Sequence, residues 1–272
     1  MDVFPFGMVR PRLTGLLFCL ACLLFSGAFF PAGAGQEQEP FSQFLGYSAF
    51  PAGRNDFPLY IEQSWDRVFQ AERDTPCLQR TTSCLPPADA PQWVYLASKA
   101  PAMEEMELLR SVNAFFNKFP SASDMDNYGM EDHWPTLADV FSHRSGDCKA
   151  YTLSKYFALR ALGLPDDKLR IVLVHLPKRG ANHAVLAVDT AKGVFILDNN
   201  TRPLDLILPE EKFSTQFIPL FMLNEKGRWT FRQSPALLRA KSNTGGKQAI
   251  TAAPYLPKRF TEIPARLPNY AR

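Results

Sequence analysis

The chain has 272 residues, of which 46% are apolar, 12% aromatic and 21% charged. That is enough apolar material to bury a core, and it excludes a wholly disordered protein. A net charge of +3 is too mild to imply nucleic acid as a partner, and the absence of heptads or internal repeats excludes fibres and solenoids. The length fits one domain of roughly 200 residues with terminal extras.

Residues 1–34 read as an export signal. Arg10 and Arg12 precede an uncharged apolar run over residues 13–30, and Ala32-Gly33-Ala34 is a small-x-small cleavage site. Cleavage after Ala34 is expected, with an uncleaved membrane anchor as the alternative. Export changes how the five cysteines read. Cys19 and Cys22 leave with the signal. Cys77 and Cys84 suit a disulfide across a short loop, two free thiols being the alternative. Cys148 is then the odd cysteine, either a buried passenger or a reactive thiol.

The middle of the chain, residues 35–238, is expected to form the folded domain. Residues 35–91 are rich in proline, aromatics and turn formers, and read as loops and short strands. Met103, Met106, Leu109, Val112 and Phe116 recur at spacings of three and four, the pattern of a helix face directed at a core. Phe119-Pro120 stops that helix. The stretch from Asp124 to Gly129 reads as a loop, and Pro135 as a residue in the first turn of a short helix ending at Phe141. Gly146-Asp147-Cys148 opens a second helix reaching to about Leu162, with Ala150, Leu153, Phe157 and Ala161 on its buried face and Gly163 and Pro165 as stop signals. Cys148 falls in the first turn, where unpaired N–H groups and the helix dipole favour a thiolate.

Beyond Pro165 the pattern changes to strands. Residues 169–176, 183–189 and 194–198 are β-branched and apolar, and Thr190-Ala191-Lys192-Gly193 is a hairpin turn between the last two. Pairing Asp189 with Val194 sets Val185 opposite Asp198, so His183 and Asp198 share a face as diagonal neighbours, within side-chain reach. A slip of one residue would separate them. A further pair runs through residues 217–223 and 229–231, joined by Asn224-Glu225-Lys226-Gly227. Residues 239–272 form a basic, proline-rich tail with a net charge of +6, expected not to fold, which leaves −4 for residues 35–238.

A cysteine at a helix start, followed by His and Asp on adjacent strands, is a nucleophile, base and orienting acid for acyl chemistry through a thioester. The Cys148 N–H and a nearby donor would help hold the oxyanion, and Trp134 would wall the cleft or supply an indole N–H. The opposing readings are an inert core thiol at Cys148, a satisfied strand histidine at His183 and a turn-forming Asp198. A metal site is disfavoured, because Cys148 and His183 lack paired ligand spacing and His133, His143 and His175 form no cluster in the sequence. No phosphate loop, nucleophile elbow or dinucleotide fingerprint is present.

At these residues the chain resembles a known family. The run GDCKAYTLSKYFALRALGLPDDKLRIVLV, then NHAVLAVD and FILDNN, is similar to the bacterial transglutaminase-like cysteine proteinases, the periplasmic LapG-type proteases that release large surface adhesins. The segments VNAFFNKF, YGMEDHWPT and IPLFMLNEKGRW fit the same pattern, so the resemblance covers about residues 103–231. It implies a papain-like or transglutaminase-like α+β fold, with the cysteine at a helix N-terminus packed on an antiparallel sheet that carries His and Asp. It also implies that Cys148 is the nucleophile, His183 the base and Asp198 the orienting acid. The implied substrate is a large adhesin, cut near its N-terminus between small residues. The implied partner is an inner-membrane cyclic di-GMP receptor that sequesters the protease in the periplasm. Amide transfer by the same triad is the rival activity, and a non-catalytic periplasmic binding protein the rival from another class. One departure stands out. Members with GDCED carry acidic residues after the cysteine that contribute to a calcium site, whereas this chain has Lys149 and Ala150. The expectation is that no cofactor is required and that calcium is weakly bound or dispensable.

Overall fold

The computed structural model describes residues 41–53, 56–78 and 84–233. The expected export signal and basic tail lie outside these residues. In chain order, strands β1 (Gln43–Phe44) and β2 (Tyr47–Pro51) lead into helices α1 (Leu59–Asp74), α2 (Ala90–Lys99), α3 (Glu105–Asn117), α4 (Asp124–Tyr128), α5 (Leu137–His143) and α6 (Cys148–Ala161). Six strands follow: β3 (Leu169–Leu176), β4 (Ala181–Thr190), β5 (Gly193–Leu197), β6 (Leu208–Pro209), β7 (Ile218–Leu223) and β8 (Arg228–Gln233). The strands form one sheet in the order β1-β2-β8-β7-β3-β4-β5-β6, with every pair antiparallel.

The central strands are apolar throughout because both faces of the sheet are covered. Ile171, Leu173, Leu186 and Val188 belong to the core shared with the helices. The alternate residues Val172, Val174, Val185 and Ala187 pack beneath Phe41, Phe44, Phe213 and Phe217. The β4–β5 hairpin adopts the register read from the sequence, with Asp189 opposite Val194 and Leu186 opposite Leu197.

Four elements differ from their sequence reading. The region of loops and short strands contains α1, a helix whose buried Ile61, Trp65, Val68 and Glu72 follow at spacings of four, three and four. Flanking proline and turn residues mask that periodicity. Residues 124–128 form a helix of about one turn, not a loop. Ser123 and Asp126 close a capping box at its start, and Gly129, at φ +65°, ends it. Pro135 stands before the start of α5 and not in its first turn, because Thr136 is the capping residue, in a box with Asp139. The helix α6 is buried on every side from Cys148 to Leu159, Lys149 and Lys155 included, rather than along one apolar face.

Cys77 and Cys84 are joined by a disulfide. No helix among the described residues is long and apolar enough to cross a membrane.

Candidate active site

The first turn of α6 is built by its two preceding residues. The Asp147 carboxylate accepts hydrogen bonds from the backbone N–H groups of Lys149 (2.9 Å) and Ala150 (3.0 Å), satisfying two of the donors every helix start leaves open. Gly146 pairs with the chain at residues 120–122, and a Cβ there would stand 2.4 Å from the Ala150 Cβ. A side chain at position 146 would therefore push the helix start away from its support. Cys148 follows as the first residue of the helix. It is buried, and it is the free cysteine among the described residues.

The hairpin supplies the other two residues. His183, near the start of β4, donates from Nε2 to Asp198 Oδ1 at 2.8 Å, with both side chains almost wholly buried. The Asn200 backbone N–H donates to the same carboxylate oxygen (3.0 Å), and the Asn200 amide lies 3.2 Å from His183 Nε2. With Nε2 engaged by Asp198, the buried Nδ1, which has no hydrogen-bond partner among the described residues, is the nitrogen left to face Cys148, whose proximity helps raise the imidazole pKa. The Phe217 ring stands 6.1 Å from the imidazole.

Electrostatics couple the three residues. Burial disfavours a charged imidazole, but the Asp198 carboxylate, through its charge and its hydrogen bond, and the neighbouring Cys148 push the His183 pKa up to about 10. Burial would raise the Asp198 carboxyl. The His183 charge and hydrogen bond, the Asn200 N–H and the Lys155 ammonium together hold it below the usual carboxylate range. Lys155 lies two turns along α6 from Cys148. Burial, opposed by the Asp198 charge, brings its ammonium down to about 7.

Several supporting residues escape a reading of the sequence. Asn117 Nδ2 donates to the Asp198 and Leu204 carbonyls, and Asn113 Nδ2 to those of Leu204 and Leu206. Thr201 Oγ1 donates to the Asp198 carbonyl as well. The signal for the asparagines is a polar pair four residues apart on a helix face that is otherwise apolar. The signal for Asn200 is its place in the turn that ends the strand. Trp134 is buried in the same core cluster as Cys148, and its indole N–H has no partner among the described residues. His133 and His143 meet across the ring of Tyr128, at 4.3 and 4.7 Å. No group of three His, Cys, Asp or Glu side chains among the described residues is placed to hold a metal ion.

The calcium implied by the family resemblance would lie beside the cysteine. Three carboxylates do converge there, from Asp124, Asp132 and Asp147, but the position among them is filled by the Lys149 ammonium. It stands 2.9 Å from Asp124, 3.3 Å from Asp132 and in direct contact with Asp147. A hard cation at that place would meet a fixed positive charge, so these residues do not fit a calcium ion.

An antiparallel sheet carrying a His–Asp pair beside a cysteine at a helix start defines an α+β fold of the transglutaminase-like kind. The sequence model of the bacterial transglutaminase-like cysteine proteinases matches residues 76–231, more than half of the chain, and the protein belongs to that family. Among solved structures it aligns with calcium-bound LapG of Legionella pneumophila at 21% identity and a TM-score of 0.43, over 65% of this chain and 99% of that one. The EGTA-treated form of the same protein aligns at 20% identity and 0.44, over 66% and 95%. A structure described as a TGase aligns at 15% identity and 0.31, over 53% and 38%. No curated protein matches the chain.

Proposed function

We propose that this cysteine proteinase is an exported periplasmic endopeptidase that cuts a large cell-surface adhesin near its N-terminus, with Cys148 as nucleophile, His183 as base and Asp198 as orienting acid. The observation that carries the reading is the buried 2.8 Å hydrogen bond from His183 to Asp198 beside the thiol that opens α6. His183 Nδ1 takes the Cys148 thiol proton as the sulfur attacks the scissile carbonyl carbon, forming a C–S bond while the carbonyl π pair moves onto oxygen. The Cys148 N–H, free of an intrahelical acceptor by its position in the helix, donates to the developing oxyanion. His183 gives its Nδ1 proton to the departing amine as the C–N bond breaks, leaving a thioester. Water then attacks the thioester while His183 takes its proton, and the acid product leaves as the thiol is restored. Asp198 keeps the ring oriented and its positive form stable throughout.

The adhesin substrate, the biofilm release that follows from cutting it, and restraint by an inner-membrane cyclic di-GMP receptor are supported by the family resemblance. No cofactor is required in this reading, because the donor set beside Cys148 carries its own cation. Incubation of the purified chain with an adhesin N-terminal fragment tests the proposal, alongside its Cys148→Ala variant. One discrete cut by the wild type alone is expected. A cut by both proteins would remove Cys148 from the chemistry. A product bearing an added amine, in place of a hydrolysed end, would assign the protein to acyl transfer.

A further inference from the structure

Lys149 has the backbone of a first-turn residue and the side chain of a core residue. Its side chain is 2% exposed, in company with Asp124 at 4%, Asp132 at 14% and Asp147 at 24%. A lysine taken out of water alone loses its proton. Here burial is outweighed by Asp147, Asp124, Cys148 and Asp132, and the ammonium is held charged. The three carboxylates come from three separate places: the start of α4, the connection between α4 and α5, and the capping residue of α6. Two of them have a second task. Asp124 accepts the His133 backbone N–H at 2.8 Å, and Asp147 accepts the N–H groups that fix the turn holding Cys148. Without the ammonium, three like charges would face one another in a site mostly closed to water. Burial and the Asp147 charge already push the Asp124 carboxyl up to about 6 with the ammonium present.

We propose that the Lys149 ammonium is a tethered cation that draws Asp124, Asp132 and Asp147 together and so positions the first turn of α6, making the site of Cys148 independent of any bound divalent cation. Lys149 is a positioning residue. It touches the carboxylates that shape the turn and takes no part in bond making. The proposal rests on the reading of Cys148 as nucleophile only for its effect on activity; its effect on the fold stands apart from that reading.

Truncation of Lys149 to alanine leaves up to six carboxylate oxygens around an open space, with water able to enter past the partly exposed Asp147. That is a donor set for calcium, which takes six to eight oxygens. Replacement by methionine fills the space and carries no charge. The experiment compares the full chain, Lys149→Ala and Lys149→Met in EGTA and in calcium. Thermal unfolding and the rate of Cys148 alkylation by iodoacetamide are the readouts, with adhesin-fragment cleavage as a third. Wild type should melt and react identically in EGTA and in calcium. Lys149→Ala in EGTA should melt lower and lose about 100-fold in cleavage, the scale of a misplaced catalytic group. Calcium should restore most of both losses. Lys149→Met should be impaired in both media.

A wild-type melting temperature raised by calcium or lowered by EGTA would overturn the proposal, and that arm needs no variant to fold. A Lys149→Met protein with wild-type stability and alkylation rate would overturn it too, as would a Lys149→Ala protein that calcium does not recover. Absence of cleavage by the wild type, with the melting pattern as expected, would count against the protease reading and leave the tethered cation standing.

Discussion

At the scale of single residues, the charge of His183 is set by the groups that face it. Asp198 supplies the main opposing charge and the 2.8 Å hydrogen bond. Because the His183 pKa is raised to about 10, the imidazolium persists through neutral pH, and the alkaline limb of kcat/KM should lie near that value. Asp198→Asn removes the charge and leaves a neutral hydrogen-bonding group of similar shape. Loss of a neighbouring carboxylate lowers a histidine pKa, so the alkaline limb should move down by at least about one unit, with a lower kcat at every pH. The measurement is a pH profile of fragment cleavage for both proteins. A limb that does not move would separate Asp198 from the titration of His183.

At the scale of elements, α6 carries Cys148 and two buried lysines. Lys149 is held charged by three carboxylates, while Lys155 has only the more distant charge of Asp198 to set against complete burial, and its pKa falls to about 7. Its ordinary value is about 10.4. Between these two values the unfolded chain binds a proton that the folded chain does not, so this residue makes stability rise with pH over that interval. Below about 7 the cost of burying the charge is fully present. Lys155→Met keeps the side-chain volume and removes that cost. The melting temperature should rise by about 3 °C near pH 6, equivalent to about 1 kcal/mol for a domain of this size, and the gain should shrink towards pH 10. Melting curves across that range test this. A gain that grew with pH would show that the charge of Lys155 is stabilising where it lies.

At the scale of the whole molecule, a disulfide and a sheet covered on both faces hold the helices in place. The Cys77–Cys84 bridge closes a loop of seven residues' separation, for which loop-closure entropy gives about 2.5 kcal/mol. Replacing both cysteines by serine should therefore lower the melting temperature by about 5–10 °C, read by thermal unfolding in the absence of reductant. An unchanged melting temperature would mean that packing around the bridge, and not the cross-link, restrains this segment.

The sequence by itself determined the helices α3 and α6, the strands β3 to β5, the β7–β8 pair, and the pairing that sets His183 beside Asp198. These rest on local causes: spacing of apolar residues, a two-residue strand period and a turn of fixed length. The tertiary structure alone decided the rest. The helix α1 buries only three apolar residues, Ile61, Trp65 and Val68, between flanking prolines and turn formers, and becomes legible once Trp65 is seen buried against Tyr156 and Phe157. Asn113 and Asn117 gain their role from carbonyls about 80 to 90 residues away in sequence. Lys149 reads locally as a cation out of place after the cysteine. Its partners lie 2, 17 and 25 positions away, and only the fold brings those charges to one point, where burial makes their mutual attraction large enough to hold a lysine inside.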